Sequence, residues 1–273
     1  MAHFPERNDA RPGKNGGRNQ GKNRRPQGSF SRRPEPVADD WIWGWHAVEA
    51  ALGNPRRGPA ELILATPERI KQLEAKFGRL PAVQQADNQQ IAQRLPQGSV
   101  HQGIAVRGAT LEDAALADFE PAPGAVLLML DQVTDPQNVG AMLRSAAAFG
   151  AVGMVLQDRN APRFTGALAK AAAGAVDKIP VARVVNLSRA LDELTDAGWR
   201  AVGLAGEAER TLDQVLDGTP TVLVMGSEGE GLRRLVAEHC DELARIPMPG
   251  GFESLNVSAA AAVALYEASR SRG

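Results

Sequence analysis

The fold is decided by the stretch AVLLMLDQVTDPQNVGAMLRSAAAFG, residues 125–150 of a 273-residue chain. Its first six residues are apolar without the alternation of a half-exposed strand, which indicates a strand buried on both faces of a sheet. A polar turn follows, in which Asn138 is a good helix N-cap. Val139, Leu143 and Ala146 then recur at helical spacing. The stretch therefore predicts a strand, a turn and a helix.

The same pattern repeats through the rest of the chain. Apolar strands that alternate with amphipathic helices predict an α/β fold, with a parallel sheet covered by helices on both faces. The predicted strands are residues 125–130, 152–156, 178–184, 200–204, 221–225 and 242–246. The predicted helices are residues 138–149, 166–174, 187–197, 230–239 and 257–270.

Residues 41–108 predict a second, smaller α/β unit before this sheet. Trp41, Trp43 and Trp45 alternate as in a short strand, and a helical stretch follows from His46. Further strands are predicted at residues 60–65, 83–86 and 103–106, and helices at 46–52, 67–77 and 88–95. The polar, acidic stretch 109–123 predicts a linker, so that the larger unit spans residues 124–273.

Residues 1–40 predict a disordered basic tail. The first 38 hold nine Lys/Arg and three Asp/Glu, whereas the rest of the chain holds 22 and 29. Five Gly, five Pro and no Leu or Ile leave this segment without the apolar area that ordering requires. Such a tail is typical of proteins that contact nucleic acid through phosphate charge. A solubilising extension has the same composition, and both interpretations stay open.

Several classes of protein are excluded by composition. No apolar run approaches the roughly 18 residues of a membrane span, so no membrane partner is expected. A start without the apolar core of a secretory signal and a lone cysteine, Cys240, favour the reducing cytoplasm. No Cys/His cluster occurs, so we expect no metal site. His46 and His101 are predicted to be structural, and Cys240 to pack rather than react.

Three turns after predicted strands carry the candidate chemistry, because ligands of open parallel sheets bind beyond the carboxyl ends of strands. In the first turn and its helix, Arg144 lies off the buried stripe and is either an ordinary solvated residue or one aimed at a phosphate or a reacting oxygen. In the second, GSEGEG at residues 226–231 lets a ligand approach the backbone, and Glu228 faces a cationic or hydroxyl-bearing ligand. A plain strand-to-helix turn explains this motif equally well. In the third, Ser254 and Asn256 are polar groups at a helix N-terminus, where either is also a suitable cap.

In order and spacing these turns resemble the SpoU/TrmH family of RNA ribose 2′-O-methyltransferases. The matching stretches are LDQVTDPQNVGAMLRSA at residues 130–146, MGSEG at 225–229, IPM at 246–248 and SLNVS at 254–258. GWHAVEAAL at 44–52 and HQGI at 101–104 are similar to the small substrate-binding domain of the family, which resembles ribosomal protein L30e. The best-matching subgroup methylates a guanosine of 23S rRNA.

The resemblance implies a trefoil-knotted, parallel-sheet catalytic domain of the SPOUT superfamily, after an L30e-like α/β domain. It implies a homodimer whose active sites use residues of both subunits. S-adenosylmethionine is the implied cofactor, held by backbone groups at Gly226, Ile246 and Leu255. RNA is the implied partner, most specifically 23S rRNA.

The implied reaction is displacement of a sulfonium methyl group by a ribose 2′-hydroxyl, with Arg144 as the central catalytic residue. Because a guanidinium is a poor proton acceptor, orienting the RNA phosphate and stabilising the developing alkoxide is the easier chemistry for it. Asn138, Glu228, Ser254 and Asn256 are assigned supporting catalytic roles by the same likeness. The rival interpretations are a tRNA ribose 2′-O-methyltransferase and a non-catalytic RNA-binding protein of the same fold, the latter disfavoured by the intact site residues.

Overall fold

The smaller sheet is built from the first part of the described chain. The computed structural model describes residues 41–108, 111–159, 161–162, 166–250 and 254–271. The predicted basic tail, residues 1–40, lies outside these ranges, as do residues 109–110 of the predicted linker. The first elements are β1 (Trp41–Trp43), α1 (Trp45–Gly53), β2 (Ala60–Ala65), α2 (Pro67–Phe77), β3 (Val83–Gln85), α3 (Asn88–Ala92) and β4 (Ile104–Gly108).

These four strands form a mixed sheet in the order β1-β4-β2-β3, with β2 parallel to β3 and the other pairs antiparallel. The predicted strand is confirmed at Trp41 and Trp43, which are buried on the same face. It is wrong at Trp45, because Gly44 has a φ of 90° and turns the chain into α1. A φ of this kind is available to glycine at little cost.

The larger sheet has six strands, and every adjacent pair is parallel. Its strand order is β10-β8-β9-β5-β6-β7. The predicted parallel sheet is therefore confirmed. Its elements are β5 (Val126–Leu130), α4 (Pro136–Ala148), β6 (Gly153–Gln157), α5 (Gly166–Ala171), β7 (Val181–Val184), α6 (Leu187–Asp196), β8 (Arg200–Leu204), α7 (Leu212–Val215), β9 (Thr221–Met225), α8 (Arg234–Glu238), β10 (Glu242–Ala244) and α9 (Val257–Arg270).

Both faces of this sheet are covered, which explains why its strands read as continuous apolar runs. Every residue of β5 and of β9 is buried. Helices α4, α5, α7 and α9 pack on one face, around Leu128 and Leu143. Helices α6 and α8 pack on the other, around Leu127 and Leu191, and Phe119 from the segment before β5 joins them. No helix in the described ranges is long and apolar enough to cross a membrane.

The start of α4 differs from the prediction. Asn138 is not the N-cap, because the side chain of Asp135 accepts a hydrogen bond from the backbone N–H of Gln137 at 3.0 Å. Pro136 occupies the first helical position, where a missing N–H is no loss. The helix therefore begins two residues earlier than predicted, and the side chain of Asn138 is left for other contacts.

Several other predicted elements are shorter in the structure: the strand at 242–246 ends at Ala244, and the helices at 88–95 and 166–174 end at Ala92 and Ala171. The helix predicted at residues 230–239 is reduced to α8, because Ser227 and Gly231 exchange backbone hydrogen bonds of 3.1 Å and close a turn before it. The strand predicted at 178–184 is reduced to β7, because the backbone N–H groups of Lys178 and Ile179 donate to Ala175 O at 2.9 and 3.2 Å and continue the 3₁₀ turn Ala175–Asp177.

The two sheets are joined through α5 and the turn that follows it. Asp177 is almost fully buried and accepts hydrogen bonds from the Arg57 guanidinium and, at 2.9 Å, from the Asn54 amide. Gly166, at the start of α5, lies against the indole of Trp43 so closely that a Cβ there would overlap the ring. Trp41 and Trp43 are therefore part of the core, and Trp43 is part of this junction.

Candidate active site

A crevice of about 350 Å³ lies at the carboxyl ends of β8, β9 and β10. Residues 204–207, 225–232 and 243–246 form its walls, and the segment that leads into α9 closes it. The wall at 204–207 was missed in the sequence, although Ala205-Gly206-Glu207 is a turn after a predicted strand. Five of the eight predicted site residues line this crevice: Gly226, Glu228, Ile246, Ser254 and Leu255.

Gly226 is the position where the crevice wall depends on a glycine. A Cβ at this residue would overlap the backbone of Gly231 and Leu232. The close approach exists because the hydrogen bonds between Ser227 and Gly231 fold the turn back on itself. Backbone groups, rather than side chains, therefore form this wall of the crevice.

Glu228 and Asn256 connect this turn to the start of α9. The carboxylate of Glu228 accepts hydrogen bonds from the Asn256 amide and, at 3.1 Å, from the backbone N–H of Val257. The Asn256 amide also donates to the side-chain oxygen of Asn138 at 3.2 Å, and its own oxygen caps α9 by accepting from Ser258 N at 3.0 Å. Both amide hydrogens and the oxygen of Asn256 are thus used, which fixes its orientation.

The sequence left open whether Asn256 is a site residue or a helix cap. The structure shows that it caps α9 and also contacts two predicted site residues, Glu228 and Asn138. Three of the predicted supporting residues, Asn138, Glu228 and Asn256, are brought together although they are far apart in sequence. Ser254 lies nearby as a residue of the crevice lining, with an exposed side chain.

Arg144 is placed differently from the other predicted residues. It lies on α4 with an exposed side chain, outside the crevice lining, and no hydrogen bond or ion pair joins it to a residue in the described ranges. Seven of the eight predicted site residues therefore belong to the crevice or to the network beside it, because Asn256 is bonded to Glu228 and Asn138 to Asn256. Arg144 is the eighth, and within one chain it lies apart from them.

Cys240, His101 and His46 were predicted to have no part in the chemistry, and the structure gives each of them a different environment. Cys240 packs against the core around Leu127 and Leu191, so the predicted packing role is confirmed. Burial, with smaller contributions from Asp241 and Asp131, raises the pKa of its thiol to about 12. His101 is structural, since its Nδ1 accepts a hydrogen bond from Gly103 N at 3.1 Å. The His46 side chain is 73% exposed, and its Nδ1 lies 3.8 Å from Glu49 Oε2 in the same helix.

The electrostatic character of the crevice is acidic. Glu207, Glu228 and Glu230 line it, with Arg245 as the one basic residue among the described lining residues. Nowhere in the described part of the chain do three or more His, Cys, Asp or Glu side chains lie together in a way that could hold a metal ion. The site is therefore suited to a cationic organic ligand that contacts glycine backbone and apolar side chains.

An open parallel sheet with such a crevice beyond its strand ends defines an α/β enzyme that binds a small organic ligand. A model of the SpoU rRNA methylase family matches residues 125–266. The 23S rRNA (guanosine-2'-O-)-methyltransferase RlmB of Pseudomonas aeruginosa is 40% identical over 251 residues, covering 85% of this chain and 96% of that one.

Solved structures agree with this match. The AdoMet-bound rRNA methyltransferase of Sinorhizobium meliloti is 27% identical, with a TM-score of 0.71 over 84% of this chain and 86% of that one. The SpoU methyltransferase AviRb of Streptomyces viridochromogenes, 23% identical, has the same fold, with a TM-score of 0.72 over 85% and 89% of the two chains. The chain belongs to the SpoU rRNA methylase family, and the resemblance predicted from the sequence is confirmed.

Proposed function

We propose that this protein transfers a methyl group from S-adenosylmethionine (AdoMet) to the ribose 2′-hydroxyl of a guanosine in 23S rRNA. The observation that carries the proposal is the 40% identity to a 23S rRNA (guanosine-2'-O-)-methyltransferase over nearly the whole length of that protein. The match includes both sheets rather than the catalytic sheet alone. The substrate class follows from this extent of similarity.

The crevice residues fit AdoMet. A volume of about 350 Å³ is within the usual range of roughly 300–1,000 Å³ for small-molecule sites. The backbone at Gly226, Ile246 and Leu255 is proposed to hold the ligand, and the surrounding carboxylates favour its positive charge. When bound, AdoMet supplies an electrophilic methyl group on a positively charged sulfur.

Arg144 is proposed to act on the RNA. Its exposed guanidinium presents a planar fork that suits a phosphate, and its positive charge stabilises negative charge that develops on a 2′-oxygen. Glu228, Asn256 and Asn138 are proposed to hold the crevice and the start of α9 in one arrangement, and Ser254 to contact the ribose. The chain thereby orients the nucleophile rather than relying on a strong side-chain base.

A homodimer is proposed because Arg144 stands apart from the crevice of its own chain. Support comes from α9, where Ala259, Val263 and Tyr266 recur on one exposed face, with Val263 42% and Tyr266 51% exposed. This helix packs against α4, the helix that carries Arg144. Pairing of two such faces would bring the Arg144 of one subunit toward the crevice of the other.

The finer architecture is also proposed from the family. The catalytic domain, residues 124–273, is proposed to contain a trefoil knot, supported by the hydrogen bonds that hold the segment before α9 against the turn after β9. Residues 41–108 are proposed to be an L30e-like substrate-binding domain, with 109–123 as the linker. A cytoplasmic location is proposed because that is where 23S rRNA is found.

The direct test is a map of 2′-O-methyl groups in total RNA from a strain that lacks this protein. We expect one guanosine of 23S rRNA to lose its methyl group, and purified protein with AdoMet to restore it on an unmodified fragment. Loss from a tRNA instead would make the protein a tRNA ribose methyltransferase. An unchanged map, with no transfer in vitro, would make it a non-catalytic RNA-binding protein.

The basic tail is proposed to attract RNA without sequence specificity. Deleting residues 1–38 is expected to weaken binding to a 23S rRNA fragment and to make the slope of log affinity against log salt less negative, by about 0.7–0.9 for each phosphate that the tail neutralises. AdoMet affinity should not change. Binding measured from low to physiological salt checks this, with Arg24, Arg25, Arg32 and Arg33 changed to Gln as a control that keeps the chain length. Equal affinity across the salt series would leave the tail as a solubilising extension.

A further inference from the structure

Asp131 is a fully buried charged residue that the proposed reaction does not use. Its side chain is 0% exposed and it directly follows β5, one of the two central strands of the larger sheet. Its backbone N–H donates to Met225 O at 2.8 Å, so the residue is fixed at the point where β5 and β9 end side by side. A carboxylate in such a place is stable only with a close cationic or hydrogen-bonding partner.

That partner is Arg233, which is 102 residues away in sequence. The carboxylate of Asp131 accepts hydrogen bonds from the Arg233 backbone N–H at 2.9 Å and from Nε at 2.8 Å, and Nη2 lies 2.6 Å from Oδ1 in the same ion pair. Nη2 of Arg233 also donates to the Gln157 side-chain oxygen at 3.1 Å, at the end of β6. One arginine therefore bonds to the ends of two neighbouring strands.

The Asp131–Arg233 pair anchors one end of the turn that forms a wall of the crevice. Arg233 is the residue after the turn of residues 226–232, which forms one wall of the crevice and carries Glu228. The turn is held at its start by β9 and in its middle by the bonds between Ser227 and Gly231. Asp131 holds its other end. The pair also lies where the strand order changes direction between β5 and β9, beside the crevice at the ends of β8, β9 and β10.

Stability alone is a weak reason for such a pair. The Arg233 side chain is 39% exposed, and even a fully buried ion pair is often no more stable than apolar residues of similar size, because desolvation offsets the attraction between the charges. What an ion pair with two hydrogen bonds adds is a defined distance and angle between the groups that it joins. Here those groups are a rigid central strand and a turn rich in glycine.

We propose that Asp131 and Arg233 are positioning residues, which hold the turn of residues 226–232 in the position relative to β5 that AdoMet binding requires. This inference rests on the proposed function in taking AdoMet as the ligand of the crevice. Neither residue touches the ligand; both act through the backbone of the turn and, further along, through Glu228 on the start of α9.

The test compares Arg233→Gln, Asp131→Asn, the double variant and Arg233→Lys in the full-length protein, with AdoMet binding measured by calorimetry without RNA. Arg233→Gln is expected to raise the dissociation constant about tenfold, since small misplacement of a binding group has effects of this size or larger. Arg233→Lys keeps the positive charge but not the planar guanidinium, so its dissociation constant should lie between those of Arg233→Gln and the wild type. The double variant should resemble Arg233→Gln within about twofold, because the two residues act as one unit.

The matched control is Arg234→Gln. Arg234 is adjacent in sequence, but its side chain is 77% exposed and, among the residues that the structure describes, pairs only with Glu238 on the surface of α8. This variant is expected to bind AdoMet as the wild type does. Equal affinity in Arg233→Gln and Arg234→Gln would overturn the proposal.

Hydrogen exchange of the protein without ligand gives a second readout, separate from AdoMet. In Arg233→Gln the amides of residues 226–232 should exchange faster, whereas those of β5 keep their protection. Faster exchange spread evenly over both sheets would show a purely structural role and overturn the proposal. If the wild type itself binds no AdoMet, the proposed function fails, and the exchange pattern alone decides whether the pair positions the turn.

Discussion

Arg144→Ala is expected to lower the rate of methyl transfer by about a thousandfold, the effect of removing a group that stabilises developing negative charge. The dissociation constant for AdoMet should stay within about twofold of the wild type, because Arg144 lies outside the crevice lining. The fold should also be unaffected, since the side chain is exposed and bonds to no residue in the described part of the chain. Single-turnover transfer to a 23S rRNA fragment, together with calorimetry, measures both quantities.

Arg189→Ala is a suitable control for Arg144. Arg189 is an exposed arginine on α6, 79% exposed and paired with Glu193 in the same helix. Its removal should leave transfer unchanged. Near-normal turnover in Arg144→Ala would remove this arginine from the reaction and, with it, the main argument for a site shared between subunits.

Gly226→Ala is expected to weaken AdoMet binding roughly a hundredfold, because the added methyl group overlaps backbone that has no flexible end to move aside. The turn of residues 226–232 must open to accept it, and the crevice wall is displaced. Calorimetry measures the loss of affinity, and circular dichroism should show the remaining secondary structure unchanged.

Gly206→Ala is the matched control for Gly226→Ala. Gly206 lines the same crevice in the turn after β8, and no heavy atom of the described residues lies within 4 Å of a Cβ added there, beyond its chain neighbours. Its effect on AdoMet affinity should be at least tenfold smaller than that of Gly226→Ala, in line with the much milder crowding. Similar losses of AdoMet affinity in both variants would show that any methyl group added to the crevice wall blocks the ligand. The close backbone contact at Gly226 would then not be the reason for its effect.

Co-expression of the Arg144→Ala and Gly226→Ala chains tests the shared site directly. If Arg144 serves the crevice of its partner, a mixed dimer has one site with an intact crevice and an intact arginine. With AdoMet near the wild-type dissociation constant, random pairing should then restore about a quarter of wild-type activity, although each variant alone keeps only a few per cent or less. If Arg144 serves its own crevice, the mixture stays as inactive as the separate variants.

The strands were predictable because both faces of the larger sheet are buried. Continuous apolar runs such as Val126–Leu130 need no knowledge of their neighbours to be recognised. Element ends were less predictable, since they depend on competing local bonds. Asp135 and Asn138 are both good caps, and the sequence does not reveal that Asn138 is bonded to Asn256 instead.

The parts of the site that sequence reasoning missed are those made by distant contacts. Asp131 reads as an ordinary turn residue until Arg233 is placed beside it. The shortening of α8 has the same origin, because the turn before it is closed by bonds that a helical pattern does not reveal. Arg144 was identified by its motif, while its distance from the crevice depends on packing that no local pattern reports.

The strand order also bears on how the chain folds as it is synthesised. The small sheet is complete once β4 has been made, at residue 108, so its four strands can pair early. The centre of the larger sheet is different, because β5 pairs with β9, and these strands are separated by about 90 residues that include three other strands of the same sheet. Pairings of such long range form slowly. The ribosome must therefore release nearly the whole protein before its catalytic sheet closes, and β5 remains without one of its two neighbours until then.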